Sequence, residues 1–167
     1  MADPLRGELV TLRVAGERDV AALLAIVSEP VVAQRWGEHD EERVREDLIG
    51  DDACFAIVAD GEVVGWIGAD EEDDPDYRHV GIDLFLTARL HSRGLGRDAI
   101  RALVRHYADR GHHRFTIDPA ADNEPAIRAY TAVGFKPVGR MRAYERAPDG
   151  SWHDGLLMDL LIDELVE

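Results

Sequence analysis

Apolar positions in this chain follow two periods, one near two residues and one near four, and the switches between them divide it into elements. Glu8–Val14 (ELVTLRV) alternates and predicts a strand. From Glu17 to Ser28, Val20, Leu23, Leu24 and Val27 form a stripe at helical spacing. A short segment opens at Pro30 and closes at Trp36-Gly37. Asp40–Ile49 predicts a second helix, with Asp40 as N-cap and Gly50 as the stop. Cys54–Ala59 and Glu62–Ala69 read as strands joined by Asp60-Gly61, a two-residue hairpin signal. Asp70–Asp76 (DEEDDPD), all acids but for one proline, predicts a surface loop. Val80–Leu86 is almost wholly apolar, as in an interior strand buried on both faces. Ala99, Ile100, Leu103, Val104 and Tyr107 then mark a helix. Arg114–Asp118 predicts a strand, Asn123–Val133 a helix stopped by Gly134, and Lys136–Arg146 with Ser151–Ile162 a hairpin turned at Asp149-Gly150. No repeat or linker interrupts the order, so residues 1–167 read as one α+β domain.

The stretch from Val80 to Arg110 organises the rest. Between its strand and its helix stands Arg93-Gly94-Leu95-Gly96. Glycines at a helix start let several N–H groups converge where the helix dipole is positive, which makes a phosphate or pyrophosphate cradle. The same tetrapeptide is equally a plain tight turn. It is neither the dinucleotide fingerprint nor a Walker A loop, since it lacks the third glycine and the Lys-Ser/Thr pair.

Composition narrows the classes. Hydrophobic residues are 46% and charged residues 32%, which suits a folded globular chain. No apolar run nears the ~20 residues of a membrane helix, and no signal peptide is evident, so a cytoplasmic location is expected. A single cysteine, Cys54, excludes an internal disulfide and a cysteine-rich metal site. The seven histidines show no ligand spacing, so no metal is expected. The net charge of −15 disfavours nucleic acid and anionic membranes as partners. It fits either general solubility or a polycationic substrate. The apolar C-terminal segment fits a dimer edge or an internal strand, leaving monomer and homodimer both open.

The succession of strand, R-G-x-G, helix, TIDP (Thr116–Pro119), Asn123 and AIRAYTAVGF (Ala126–Phe135) resembles the GNAT superfamily of acyl-CoA-dependent N-acetyltransferases. Within it the chain is most similar to the aminoglycoside 6'-N-acetyltransferases, through PVVAQRWG (Pro30–Gly37), GIDLFL (Gly81–Leu86), RGLG and TIDPAADNEPAIRAYTAVGF (Thr116–Phe135). The resemblance implies a mixed, mostly antiparallel sheet flanked by helices and splayed at the acetyl-CoA site. It implies acetyl-CoA as co-substrate and a cationic amine such as an aminoglycoside as acceptor. With no Ser-His-Asp or nucleophilic cysteine pattern in the sequence, direct transfer in a ternary complex is expected over a covalent acetyl-enzyme. Superfamily members often carry Gln or Arg three residues before the first cradle glycine; this chain has His91 there.

Residue roles follow from that resemblance and from the chemistry. Ser92, Arg93, Gly94, Leu95, Gly96 and Arg97 would hold the diphosphate, and backbone N–H groups near Leu84, Phe85 and Leu86 the thioester oxygen. Asn123 would contact the pantetheine arm; by itself it is as readily a helix N-cap. An amine cannot attack as an ammonium, and a lysine-like amine titrates near ~10.4, so a base or a water relay is needed. Asp83, set in an apolar strand, is the candidate, against a satisfied structural carboxylate. Tyr130 would protonate the leaving thiolate, against a core tyrosine. Trp36, Asp70, Glu72, Asp83 and Asp118 would shape the acceptor site. Their plainer readings are a packing aromatic, a solvated acidic loop and an Asp-Pro turn. Another amine acceptor (a polyamine, a siderophore precursor or a protein N-terminus) and a non-catalytic acyl-CoA-binding module remain the alternatives.

Overall fold

A computed structural model describes residues 2–167. The described residues form one sheet of eight strands and five α-helices. In chain order these are β1 (Leu5–Arg6), β2 (Thr11–Val14), α1 (Val20–Val27), α2 (Pro30–Trp36), α3 (Glu41–Leu48), β3 (Cys54–Ala59), β4 (Glu62–Glu72), β5 (His79–Leu86), α4 (Leu95–Asp109), β6 (Arg114–Ile117), α5 (Glu124–Val133), β7 (Lys136–Arg146) and β8 (Trp152–Leu161). The spatial order is β1-β2-β3-β4-β5-β6-β8-β7. Every pairing is antiparallel except β5 with β6, whose parallel register is Val80 opposite Phe115 and Gly81 opposite Thr116. This is the mixed, mostly antiparallel α+β sheet expected.

Strand alternation sends side chains to two cores, one on each face. On one face Leu23, Val27, Val44 and Leu48 of α1 and α3 pack against Trp66 and Phe85. On the other, Ile100, Leu103, Val104 and Tyr107 of α4, with Val133 of α5, cover Ile67, Val80, Ile82, Phe115 and Leu160. Local signals hold at several joints. Asp60 and Gly61 both take positive φ (51° and 79°), as a two-residue turn between twisted strands requires. The Asp40 carboxylate caps α3 by accepting from Arg43 N–H at 2.9 Å.

Three expectations need correction. The strand predicted over Glu8–Val14 starts only at Thr11, because the N–H groups of Glu8, Leu9 and Val10 all donate to the Asp98 carboxylate instead of a ladder. The acidic stretch is not a loop throughout. Asp70, Glu71 and Glu72 continue β4, paired with Gly81, Val80 and His79, and only the residues beyond Glu72 leave the sheet. Third, β5 is not buried on both faces along its length, since Asp83 opens into a cleft.

Candidate active site

β5 and β6 pair only through Gly81, while β5 runs on to Leu86. The sheet therefore splays from Ile82 onward. Thr87 N–H donates to Val64 in β4 at 2.8 Å, so by alternation the N–H groups of Leu84 and Leu86 face the gap. His91 closes the far end, its Nε2 lying 2.9 Å from the Leu86 carbonyl oxygen.

The chain then turns sharply into α4. Ser92 and Gly94 both take positive φ (63° and 82°), a conformation that glycine adopts freely and serine only when its surroundings hold it. Gly94 is the N-cap and no side chain caps the helix. The first-turn N–H groups of α4 thus point into a cavity of about 620 Å³. Ser92, Gly94, Leu95, Gly96 and Arg97 line it on one side, Pro125, Ala126 and Ala129 of α5 on the other. A Cβ on Gly96 would come within 3.2 Å of Leu86 Cδ1, so the missing side chain keeps α4 close to β5.

A second cavity, of about 610 Å³, adjoins the first. Its walls are Asp83, Asp118, Pro119 and Ala120 together with Tyr144, Glu145 and Arg146 of β7. Arg35, Trp36, Leu84, Asn123 and Tyr130 line both cavities and so mark their junction. Trp36 packs edge-on against Phe85 at 5.0 Å and against Trp66 at 5.7 Å. It is at once a core aromatic and a wall of the cleft. Asn123 combines its two readings in the same way: its Oδ1 accepts from Ala126 N–H at 3.4 Å, and its side chain borders both cavities.

Carboxylates outnumber cations on the second cavity, with Asp83, Asp118 and Glu145 against Arg35 and Arg146, and Arg35 is engaged by Asp122 at 2.8 Å. Enclosure by protein, and then the fields of Asp118, Glu145 and Asp70, push the Asp83 carboxyl up to about 7. The side chain is exposed where it faces the cleft. Tyr130 is held in its protonated form by burial and by the neighbouring Asp83 and Asp118. No protein group among the described residues accepts its hydroxyl hydrogen, and its ring leans on Phe135. The arrangement offers a proton acceptor near neutrality and a proton donor at one junction, beside free N–H groups on a splayed strand. Those are the parts an acyl transfer needs.

Asp83, Leu84, Phe85, Leu86, Ser92, Gly94, Leu95, Gly96, Arg97, Asn123, Tyr130, Trp36 and Asp118 all lie on the walls of this bipartite cleft. Arg93 does not line it. Asp70 sits on the Asp83 face of the sheet, opposite Gly81, and acts on Asp83 through its field. Glu72 turns to its own loop and accepts from Asp74 N–H. Glu71, on the opposite face, is engaged by His112 Nε2 at 2.6 Å. Sequence reasoning missed Arg35, Tyr144 and Glu145. Arg35 lay in Pro30–Gly37, a stretch that carried the family resemblance, while Tyr144 and Glu145 lay in Lys136–Arg146, read only as a hairpin arm.

The sequence model of the Acetyltransferase (GNAT) family matches residues 21–135. The aminoglycoside N(6')-acetyltransferase type 1 of Klebsiella pneumoniae is 29% identical, over 84% of this chain and 79% of that protein. Among solved structures, aminoglycoside acetyltransferase AAC(6')-Ib in complex with coenzyme A superposes with a TM-score of 0.74 at 25% identity, covering 93% of this chain and 96% of that one. RimL, a ribosomal L7/L12 alpha-N-protein acetyltransferase bound to coenzyme A, has the same fold, with a TM-score of 0.84 at 22% identity over 97% and 99% of the two chains. The family match runs from α1 to the end of α5 and takes in the cleft walls apart from Tyr144, Glu145 and Arg146 of β7, and the chain belongs to the GNAT family of acetyl-CoA-dependent N-acetyltransferases.

Proposed function

We propose that the acceptor is an aminoglycoside, acetylated on its 6'-amine by direct attack within a ternary complex, and that the chain acts as a single catalytic domain conferring resistance. One observation carries this reading: Asp83, Asp118 and Glu145 converge on a cavity that opens onto the α4 cradle at Tyr130. Three carboxylates against two arginines, one of them (Arg35) already paired with Asp122, leave the cavity net acidic, which suits an acceptor bearing several ammonium groups. The 29% identity to an aminoglycoside N(6')-acetyltransferase supports the same reading.

In the proposed reaction the diphosphate of acetyl-CoA lies on the amides of Leu95–Arg97, and the thioester oxygen on an N–H of Leu84 or Leu86. Asp83 takes a proton from the substrate ammonium, directly or through water. The freed nitrogen attacks the thioester carbon, and the C–S bond breaks as Tyr130 gives its proton to the leaving sulfur. The nitrogen's second proton passes through water back to the Tyr130 oxygen while Asp83 releases the first to solvent. The products are the N-acetyl amine and the free thiol of coenzyme A. The value of about 7 favours Asp83 as base over a purely positioning carboxylate.

Two results are expected. Raised above the ordinary carboxylate range, Asp83 is the competent base only once ionised, so kcat/KM at fixed acetyl-CoA rises as pH passes through about 7. A flat profile between pH 6 and 8 contradicts the assignment. Tyr130→Phe lowers turnover by about tenfold while changing the Kd for coenzyme A less than about twofold; equal losses in both assign Tyr130 to packing.

The acceptor itself is settled by thiol release from acetyl-CoA with kanamycin, tobramycin, spermidine and a short peptide. Turnover on the first two supports the aminoglycoside reading. Turnover confined to the polyamine or the peptide replaces it with another amine, and tight coenzyme binding with no turnover on any amine points to a binding module.

A further inference from the structure

The acceptor cavity has an internal device that the reaction scheme leaves unused. Tyr144 Oη donates to Asp118 Oδ2 at 2.6 Å, joining β7 to the end of β6 across the cavity. Neither partner gets there by regular sheet geometry. In β7 the register with β8 shifts between Met141 and Glu145, and Ala143, in that bulge, takes a positive φ of 46°. A non-glycine residue holds that conformation only when its neighbours fix it.

The fixing group is Asp154. Its Oδ1 accepts from Ala143 N–H at 2.8 Å and its Oδ2 from Arg140 Nε at 2.7 Å, so one carboxylate clamps both sides of the bulge. The same residue also holds the other partner's loop. Ala121 N–H donates to the Asp154 carbonyl oxygen at 2.9 Å, Leu156 N–H donates to the Pro119 carbonyl oxygen at 2.9 Å, and Ala120 bridges to Gly155. The Tyr144 ring lies over Gly155, where a Cβ would meet its Cδ2 at 2.9 Å. Asp154–Leu156 therefore sets the position of Tyr144 from one side and of Asp118 from the other.

We infer that Tyr144 is a specificity-determining residue and Asp154 the positioning residue that sets it: the phenol fixes the Asp118 carboxylate so that its free oxygen receives a second ammonium of the acceptor. Resting on the reading of this cavity as the amine site, the inference says which acceptors gain. One Asp118 oxygen is engaged by the phenol and the other stays open to the cavity. An acceptor with a single amine uses Asp83 alone and is indifferent to Tyr144. A polyamine whose second cation reaches Asp118 depends on how firmly that carboxylate is held.

The test compares kanamycin with 6-amino-6-deoxyglucose, a single-amine acceptor, in wild type, Tyr144→Phe, Asp154→Ala and Asp154→Asn. Tyr144→Phe is expected to raise KM for kanamycin at least threefold. Its kcat, its KM for the monoamine and its Kd for coenzyme A stay within twofold. Asp154→Ala, which removes no group from the cavity wall, gives the same split, and Asp154→Asn, which keeps an acceptor for Ala143 N–H, recovers part of it. Tyr144 is largely exposed, so if Asp154→Ala fails to fold, Tyr144→Phe decides alone. An unchanged kanamycin KM, or an equal rise on both acceptors, overturns the inference. If wild type leaves kanamycin untouched, the aminoglycoside reading fails by itself, and the same comparison is made with spermidine and butylamine.

Discussion

Asp83→Asn is expected to lower turnover at least tenfold, a barrier increase of ~1.4 kcal/mol or more, while the protein stays folded. Asparagine keeps the size and one acceptor oxygen of the side chain but cannot take a proton. The rise of kcat/KM through pH 7 should vanish with it. Stability should move the opposite way, and the sign follows from linkage. The Asp83 carboxyl titrates higher in the folded protein than in the unfolded chain, so folding opposes its ionisation. Its favourable contribution is complete below the unfolded value, near 4, and is lost as pH climbs through about 7. At pH 8 the wild type carries an ion crowded by Asp118, Glu145 and Asp70, and the variant does not. Thermal unfolding at pH 8 should therefore find Asp83→Asn as stable as wild type or more so, with the difference shrinking at pH 5. A variant that is inactive and also less stable at pH 8 would assign Asp83 a structural role.

Asp98→Ala should have the largest effect on stability. Asp98 is 5% exposed, in the first turn of α4. Its carboxylate accepts from the N–H groups of Glu8, Leu9 and Val10 at 2.9, 2.7 and 2.9 Å. Hydrogen bonds to a charged acceptor contribute about 1.5–3 kcal/mol each, and backbone donors left without a partner add their own penalty. A loss of at least about 3 kcal/mol follows, or about 6–12 °C in Tm for a chain of this size. Asp98→Asn, which retains one carbonyl oxygen, should lose less. The same contact steadies the cradle, since Leu9 Cδ1 lies 3.7 Å from where a Cβ on Gly94 would sit. Both denaturation midpoints can be read by circular dichroism, and a change under about 1 kcal/mol in Asp98→Ala would contradict the account.

Asp98 also shows where the sequence could not be read. Glu8–Val14 alternates as a strand should, but a carboxylate about ninety positions away captures three of its amides, and no local window contains that partner. The acidic run misled for the converse reason. Its composition favours solvent, yet β5 supplies a pairing edge that carries Asp70–Glu72 into the sheet. What was legible depends on short-range chemistry: the Asp60-Gly61 turn, the Asp40 cap, the glycine at the start of α4, and Asn123 as cap of α5. Asp83 was legible because an acid in an apolar strand needs a reason. Tyr144 was not, because its approach to Asp118 depends on a register shift in β7 that only the clamp by Asp154 reveals.

In the proposed geometry the coenzyme would lie across the splay, on the amides of Leu84, Leu86 and the first turn of α4, next to Asp83 and Tyr130. Amide hydrogen exchange with and without saturating acetyl-CoA addresses it residue by residue. The account predicts slowed exchange at Leu84, Leu86 and Leu95–Arg97, with little change in β1, β2 and α3. Binding that protects other segments and leaves those amides unaltered, or no binding by folded protein, would contradict it.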